Sequence, residues 1–155
     1  MSPTLRQPTP AAAAYRWYAA ALSAKPGDDA RAFDEDEPQP GFYKRRFNRE
    51  GVFVPARIWL IQYVADGELI APELIACEIG GDRFDPRHAE GPFGLPLWCV
   101  LAENPITKAE YDHMMRVRAW AKTFRPDQPE AAPMKSVDLF TVKPPTWGKR
   151  SKRKP

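Results

Sequence analysis

The chain has 155 residues, which is enough for about one domain that buries an apolar core without metals or disulfides. Its composition, 43% hydrophobic and 28% charged with no apolar run of eighteen residues, is typical of a globular protein and predicts no membrane-spanning helix. The net charge is +3, but six cations and no acids fall in residues 143–155, which leaves the other 142 residues at −3. The total charge therefore does not by itself indicate a domain that binds polyanions.

The first 40 residues are predicted to form a helix followed by an acidic, proline-containing linker. The helix is expected over residues 10–24, with Thr9 as its N-cap and Pro10 in the first helical position. Residues 28–37, DDARAFDEDE, contain six acids and one arginine. Such a block repels itself, so we expect a mobile linker or an acidic surface loop. An arginine interrupts the alanine-rich stretch, and an export signal is therefore not predicted.

Aromatic residues cluster on this N-terminal helix. Tyr15, Tyr18 and Leu22 fall on one helical face, and Trp17 lies beside them. Such clusters more often dock on a core or on a partner chain than take part in chemistry. If the protein is an interaction module, Tyr15, Trp17 and Tyr18 are expected to dock on the partner protein.

A β-hairpin is predicted next, with strands over 42–48 and 52–64 joined by a short loop that contains Gly51. Pro55 lies in the second strand and cannot donate to a strand ladder, so we expect it at an edge or a bulge. The hairpin supplies the first two strands of a sheet.

Two glycine turns indicate further strands. Asp66-Gly67 is a hairpin-turn signal, and the strand that follows is interrupted at Pro72 and resumes through Ile79. Gly80-Gly81 predicts a second two-residue turn into a short strand. The apolar run LPLWCVL, residues 95–101, is interpreted as a buried strand.

A long helix is predicted after Pro105. Thr107 and Glu110 have the spacing of a capping box, and Ile106 and Tyr111 have that of a hydrophobic staple. The apolar residues that continue the helical spacing are Met114, Val117, Ala121 and Phe124. Pro126 ends the helix and opens a proline-rich connector. Beyond it, SVDLFTV, residues 136–142, is interpreted as one more strand or a docked extended segment.

Together these elements predict an α+β fold: a small curled antiparallel sheet of four to five strands, or a partly open SH3-like or OB-like barrel, with one long helix packed on it. The expected organisation is an N-terminal helix and linker over 1–40, a compact domain over 41–125, and a proline-rich extension with a basic tail over 126–155. The strand order cannot be deduced from periodicity.

No catalytic or cofactor motif stands out in the sequence. Cys77, His88, Cys99 and His113 are separated by 11, 11 and 14 residues, without the close pair that preorganises zinc ligands. The acids around the Gly80-Gly81 turn are typical turn formers. The alternative is that they hold magnesium for phosphodiester cleavage. We therefore expect no enzyme, no metal and no cofactor. Two cysteines are too few for a disulfide framework, so reduced thiols are expected.

The strand FYKRRF carries the main functional hypothesis. Tyr43, Lys44, Arg45 and Arg46 follow one another there, Arg49 lies at the turn, and Arg57 lies on the next strand. Mixed aromatic and basic residues on an exposed β-face are typical of single-stranded nucleic-acid binding. The alternative is that the aromatic rings face the core while the cations guard an edge strand against aggregation.

The stretches GFYKRRF, VPARIW, ELIAPELIACEIGG, and NPITKAEY followed by PEAAPMKSVDLFT resemble small uncharacterised proteins encoded in bacteriophage and prophage genomes, over about residues 41–142. The resemblance implies no activity and no catalytic residues. It implies a phage context, in which small accessory proteins bind nucleic acid, build particles or inhibit host enzymes. The expected location is then the host cytoplasm or the virion.

Two functions remain open at this point. The first is nucleic-acid binding by the 42–57 hairpin, with a flexible basic anchor formed by Lys149, Arg150, Lys152, Arg153 and Lys154. The second is a protein-interaction module, either a virion component or an inhibitor of a host or defence protein, that docks through the aromatic helix and the proline-rich segments. The oligomeric state is not indicated.

Overall fold

The structure is a computed structural model that describes residues 7–89 and 94–131. Its strands are β1 (Gly41–Arg45), β2 (Val54–Ile61), β3 (Val64–Ala65), β4 (Glu68–Leu69), β5 (Leu74–Ile79) and β6 (Asp82–Phe84). Its α-helices are α1 (Ala11–Ala14), α2 (Arg16–Ser23), α3 (Leu97–Ala102) and α4 (Lys108–Phe124), and a 3-10 turn covers Asp29–Arg31.

Four of the strands form one antiparallel sheet in the order β1-β2-β5-β6, and β3 pairs with β4 in a separate hairpin. The predicted α+β class, with a four-stranded antiparallel sheet and a long helix, is confirmed. Because β1 and β6 are the two edges, the sheet in the described part of the chain is open. Closure into a barrel is therefore not confirmed.

The two glycine turns form where the sequence predicts them. Asp66 and Gly67 have φ angles of 53° and 79°, and Gly80 and Gly81 have 61° and 94°. Two successive positive φ angles match the right-handed twist of a two-residue hairpin. These turns connect β3 to β4 and β5 to β6.

The β1–β2 hairpin has a longer loop than predicted. The register runs from Gly41 opposite Ile58 to Arg45 opposite Val54, so residues 46–53 form the loop. Pro55 lies near the start of β2, an interior strand with an unbroken register to β1, so the prediction that it lies at an edge or a bulge was wrong. Its carbonyl accepts from the Gly80 amide at 2.7 Å, one residue beyond the end of the β2–β5 pairing.

One face of the sheet is buried under α3. The side chains of β1, β2, β5 and α3 that form this core are Tyr43, Val54, Ala56, Ile58, Cys77, Ile79, Leu97, Trp98, Leu101 and Ala102. The prediction of a buried strand over 95–101 was wrong, because residues 97–102 are helical. An apolar run this short has the same hydrophobicity in a buried helix as in a buried strand.

The N-terminal segment packs beside this core. The Trp17 and Phe33 rings lie 5.3 and 5.8 Å from the Trp98 ring, and the Trp98 Nε1–H donates to the Asp34 carbonyl at 2.9 Å. The acidic block is therefore a surface loop attached through its backbone and through Phe33. Its carboxylates stay exposed.

The N-terminal helix differs from its prediction. It is divided at Tyr15 into α1 and α2, and Pro10, not Thr9, is the residue before its first turn. The Thr9 hydroxyl and amide instead donate to the Glu73 carboxylate at 2.7 and 3.1 Å. Thr9 thus ties the start of the N-terminal segment to the strand region through Glu73, and it makes no side-chain cap on α1.

The long helix α4 lies against the opposite face of the sheet. The Tyr111 ring is 5.0 Å from Phe42, and Arg118 Nε donates to the Gly80 carbonyl at 3.1 Å. The predicted N-cap is confirmed, because Thr107 Oγ1 accepts from the Glu110 amide at 3.0 Å.

The predicted apolar face of α4 is only partly buried. Ala121 is 2% exposed, whereas Val117 is 37% and Phe124 66% exposed, and Trp120 is 53% exposed beside them. The sheet is too short to cover the second half of this helix. An apolar surface on α4 is thus left open in the described residues.

Candidate nucleic-acid interface

Cations contact aromatic rings at the end of the β1–β2 hairpin, residues 44–53, which we name the hairpin tip. Lys44 Nζ and Arg46 Cζ lie 4.6 and 4.2 Å from the centroid of the Phe53 ring. Arg45 Cζ lies 4.4 Å from the Phe47 centroid. Such cation–π contacts contribute about 0.5–1 kcal/mol each at exposed sites. The rings therefore hold three cations in defined positions.

The two rings are themselves anchored. Phe47 and Phe53 are half-buried, and Phe47 lies 6.5 Å from Phe84 on β6 and packs against the core cluster. The loop that carries them is long enough for both rings to turn back toward the sheet. The eight-residue loop, which the sequence did not predict, thus makes the stacking possible.

The hairpin tip is positively charged. It contains Lys44, Arg45, Arg46 and Arg49 and a single acid, Glu50. The Lys44 ammonium is 3.5 Å from the Glu110 carboxylate, an exposed pair that contributes little. Within the described part of the chain, Arg46 and Arg49 have no carboxylate partner, and Arg46 donates to the Arg49 carbonyl at 3.4 Å.

Arg57 belongs to a neighbouring cluster on the same face as Phe42. Arg57 and Arg83 lie 4.2 and 4.7 Å from the Trp59 ring, and their Nε atoms lie 3.1 and 3.4 Å from the Glu78 carboxylate. One acid is thus shared by two guanidinium groups. Sequence reasoning missed Arg83, although a two-residue turn at Gly80-Gly81 places it opposite Glu78.

Tyr43 is not available to a ligand, which corrects its prediction as a binding residue. It is 0% exposed, and its hydroxyl donates to the Gln39 carbonyl at 2.8 Å. Burial, with smaller contributions from neighbouring tyrosines, raises the pKa of Tyr43 well above its usual value. Strand alternation correctly puts Tyr43 on one face and Lys44 on the other, but Tyr43 faces the core.

The aromatic residues of the N-terminal helix pack within the chain. Tyr18 is buried, and its hydroxyl donates to the Ile106 carbonyl. The Trp17 indole N–H donates to the Ala32 carbonyl at 2.8 Å, and the Tyr15 ring lies 6.3 Å from Tyr18. Of the two locations expected for the cluster, a core or a partner chain, these contacts show the first for Tyr18, and docking of the three residues on a partner protein stays a prediction.

The remaining predicted binding residues lie outside the described residues. They are Lys149, Arg150, Lys152, Arg153 and Lys154 of the basic tail. Residues 132–135 of the proline-rich connector and the segment 136–142 also fall there. Their predicted roles stay predictions.

The four residues considered for a metal site are dispersed. Cys77 and Cys99 are buried and not joined in a disulfide, whereas His88 and His113 are exposed. Burial raises the pKa of Cys99. Among residues 7–89 and 94–131, no group of three or more histidine, cysteine or acidic side chains could hold a metal ion. In the same residues, no helix has the length and apolar character needed to cross a membrane.

Comparison of the chain with protein families, curated proteins and solved structures finds no match.

Proposed function

We propose that this chain is a small non-enzymatic accessory protein that binds nucleic acid through its hairpin tip, with the basic tail over 149–154 as a flexible electrostatic anchor. The bacteriophage context that its sequence suggests, and a location in the host cytoplasm or the virion, are part of the proposal. The observation that carries it is the stacking of Lys44 and Arg46 on one ring, Phe53, with Arg45 stacked on Phe47.

Stacking supports phosphate binding in two ways. A long cationic side chain that is already held loses less conformational entropy when it meets a ligand. The inner face of Arg46 is occupied by the Phe53 ring, so its guanidinium group presents an outer plane and N–H edges. The edges suit phosphate oxygens, and the planes suit unpaired bases.

The proposal predicts a salt-dependent interaction that the hairpin tip controls. Replacing Arg46 and Arg49 with Gln removes two exposed cations from the tip. Affinity should weaken for every sequence tested, because phosphate contacts carry no base information. The slope of log affinity against log salt should become shallower by up to about 0.9 per lost contact on duplex and about 0.7 on single strands. Fluorescence anisotropy with labelled oligonucleotides, titrated with salt, measures both.

The matched control removes two cations elsewhere. Lys25 and Arg87 are exposed in other loops, so the Lys25→Gln, Arg87→Gln variant has the same net charge as the tip variant. It should bind nearly as the parent does. Equal losses of affinity in both variants would mean that net charge, and not the hairpin tip, determines the binding. If the parent protein binds neither duplex nor single-stranded nucleic acid at low salt, the proposed nucleic-acid binding is wrong.

A protein-interaction module is the second candidate, favoured by one surface. Tyr63, Val64, Ile70 and Leu74 are 50%, 46%, 66% and 50% exposed around the β3–β4 hairpin. Contiguous exposed apolar residues of this kind often mark interaction sites. Affinity purification from expressing cells with and without nuclease separates the two functions. Partners that survive nuclease and are lost with Ile70→Asp would support this candidate.

A further inference from the structure

An apolar groove lies between the hairpin tip and α4. It has a volume of about 280 Å³. Its lining includes Val52 and Phe53 of the hairpin tip, Met114, Val117 and Arg118 of α4, and Glu130. A second cavity of about 390 Å³ adjoins it along α4 and includes Val117, Trp120 and Glu130 in its lining. The Trp120 and Phe124 rings, 5.9 Å apart, extend this surface toward the end of the helix.

The last described residues, 125–131, turn back toward this groove. After α4 it turns back through hydrogen bonds from the Gln128 amide to Arg125 and from the Ala131 amide to Gln128. Arg118 Nη1 then donates to the Glu130 carbonyl at 3.5 Å. Residue 130 thus lies beside residue 118, twelve positions earlier, so the chain runs antiparallel to the helix. Glu130 lines both cavities.

The sequence that follows suits the groove. Only residues 132–135 separate the described end from SVDLFTV at 136–142, and four residues span at most about 14 Å. Within SVDLFTV, Val137, Leu139, Phe140 and Val142 are apolar, and Asp138 is the one charged residue. Arg118 in the groove lining is a complementary charge for that acid.

We propose that residues 136–142 of this chain dock in the groove between the hairpin tip and α4 and cover the apolar surface around Val117. Residues 143–155 would then begin near Phe53, the ring on which Lys44 and Arg46 stack. The basic tail and the hairpin tip would form one continuous cationic surface. This last consequence rests on the proposed function, whereas the docking itself does not.

Thiol labelling of a reporter in the groove tests the docking. Val117→Cys in the full chain introduces a thiol at a position 37% exposed in the described residues, while the native Cys77 and Cys99 are buried. A docked segment should slow labelling on the order of tenfold relative to an Ile70→Cys reporter on the β3–β4 hairpin. Adding Leu139→Asp and Phe140→Asp should restore fast labelling of the Val117→Cys reporter.

The control places the same two charges outside the segment. Thr146→Asp with Trp147→Asp should leave the labelling of both reporters unchanged. Leu139→Asp with Phe140→Asp should also lower the midpoint of thermal unfolding by about 4 °C or more, because apolar contacts in the folded state are lost. The control pair should leave the midpoint in place.

Two results would overturn the proposal. The first is a Val117→Cys reporter that labels as fast as Ile70→Cys in the otherwise unchanged chain. The second is slow labelling of the Val117→Cys reporter that becomes fast when the protein is diluted. This result would mean that a second copy of the chain occupies the groove. Neither measurement involves nucleic acid, so a failure of the proposed function leaves the docking result intact, and the reverse also holds.

Discussion

Single residues show how tightly the core encloses polar groups. The Tyr43 ring lies 5.9 Å from Tyr18 and 5.5 Å from Trp98, and its hydroxyl has a carbonyl partner in Gln39. A phenolate in this position would lose its hydration and its role as a donor. The folded protein therefore keeps Tyr43 protonated at pH values where an exposed tyrosine ionises.

This has a consequence for stability at alkaline pH. In the unfolded chain Tyr43 releases its proton near pH 10. Above that pH the unfolded state binds fewer protons than the folded state, so the free energy of unfolding falls as pH rises. Tyr43→Phe should flatten this decline between about pH 9.5 and 11, and should cost about 1 kcal/mol near neutral pH because the Gln39 carbonyl loses its partner. Denaturant unfolding over a pH series measures both.

Tyr63→Phe is the control, since Tyr63 is half exposed. As a control for the loss of a tyrosine hydroxyl, it should leave the free energy of unfolding near neutral pH nearly unchanged. The flattening by Tyr43→Phe should be partial, because burial also raises the pKa values of Tyr18 and Tyr111. If the free energy of unfolding of Tyr43→Phe falls with pH as steeply as that of the parent, Tyr43 does not stay protonated in the folded protein.

The N-cap of α4 makes a second prediction for a single residue. Thr107→Ala removes the acceptor for the Glu110 amide and should destabilise the protein by about 1 kcal/mol. Thr123→Ala, near the other end of the helix, removes only a bond to the Ala119 carbonyl and should be nearly neutral. Equal effects in denaturant melts would contradict a stabilising cap at Thr107.

At the scale of elements, the hairpin turns were predictable and the helix at 97–102 was not. A turn such as Asp66-Gly67 or Gly80-Gly81 is a local property, because few residue pairs accept two positive φ angles. Residues 95–101 contain only apolar groups and a proline, so neither periodicity nor polarity separates a helix from a strand. Only the packing of Trp98 against Tyr43 and Trp17 distinguishes them.

The two glycine turns also allow a matched test of turn packing. Gly67 and Gly80 both have positive φ, so Ala at either position should cost about 1 kcal/mol. A Cβ at Gly67 meets nothing within 4 Å, whereas one at Gly80 lies 2.8 Å from Arg118 Cζ and 3.0 Å from Val54 Cγ1. Gly80→Ala should therefore cost at least about 1 kcal/mol more than Gly67→Ala. Similar losses of stability for the two variants in thermal or denaturant melts would mean that Arg118 does not pack tightly against the β5–β6 turn.

At the scale of the whole molecule, helices lie on both faces of the sheet. The sequence predicted one helical layer, formed by α4. The second layer, α3, came from the run interpreted as a strand, and Trp17 of α2 packs beside it. Strand alternation predicted which side chains of FYKRRF share a face. It could not predict which face is buried, because that depends on where α3 and α4 pack.

The buried thiols report on this whole arrangement. Cys77 lies on the sheet and Cys99 on α3, and both are buried and not joined in a disulfide. A bulky thiol reagent should therefore label neither in the native protein and both in denaturant. The labelling rate should follow global unfolding as denaturant increases. Rapid labelling of both cysteines in the native protein would contradict the packing of α3 on the sheet.

The outer edge of β1 is occupied by the chain itself. The Lys44 amide donates to the Asn104 carbonyl at 3.1 Å, and the Ile106 amide donates to the Phe42 carbonyl at 2.9 Å. An edge strand with aromatic side chains is otherwise a template for pairing with another molecule. Residues 104–106, which precede the N-cap of α4, thus cover the edge of β1 through which copies of the chain could pair. A change that detaches them should let the protein self-associate through this strand, even with its core intact.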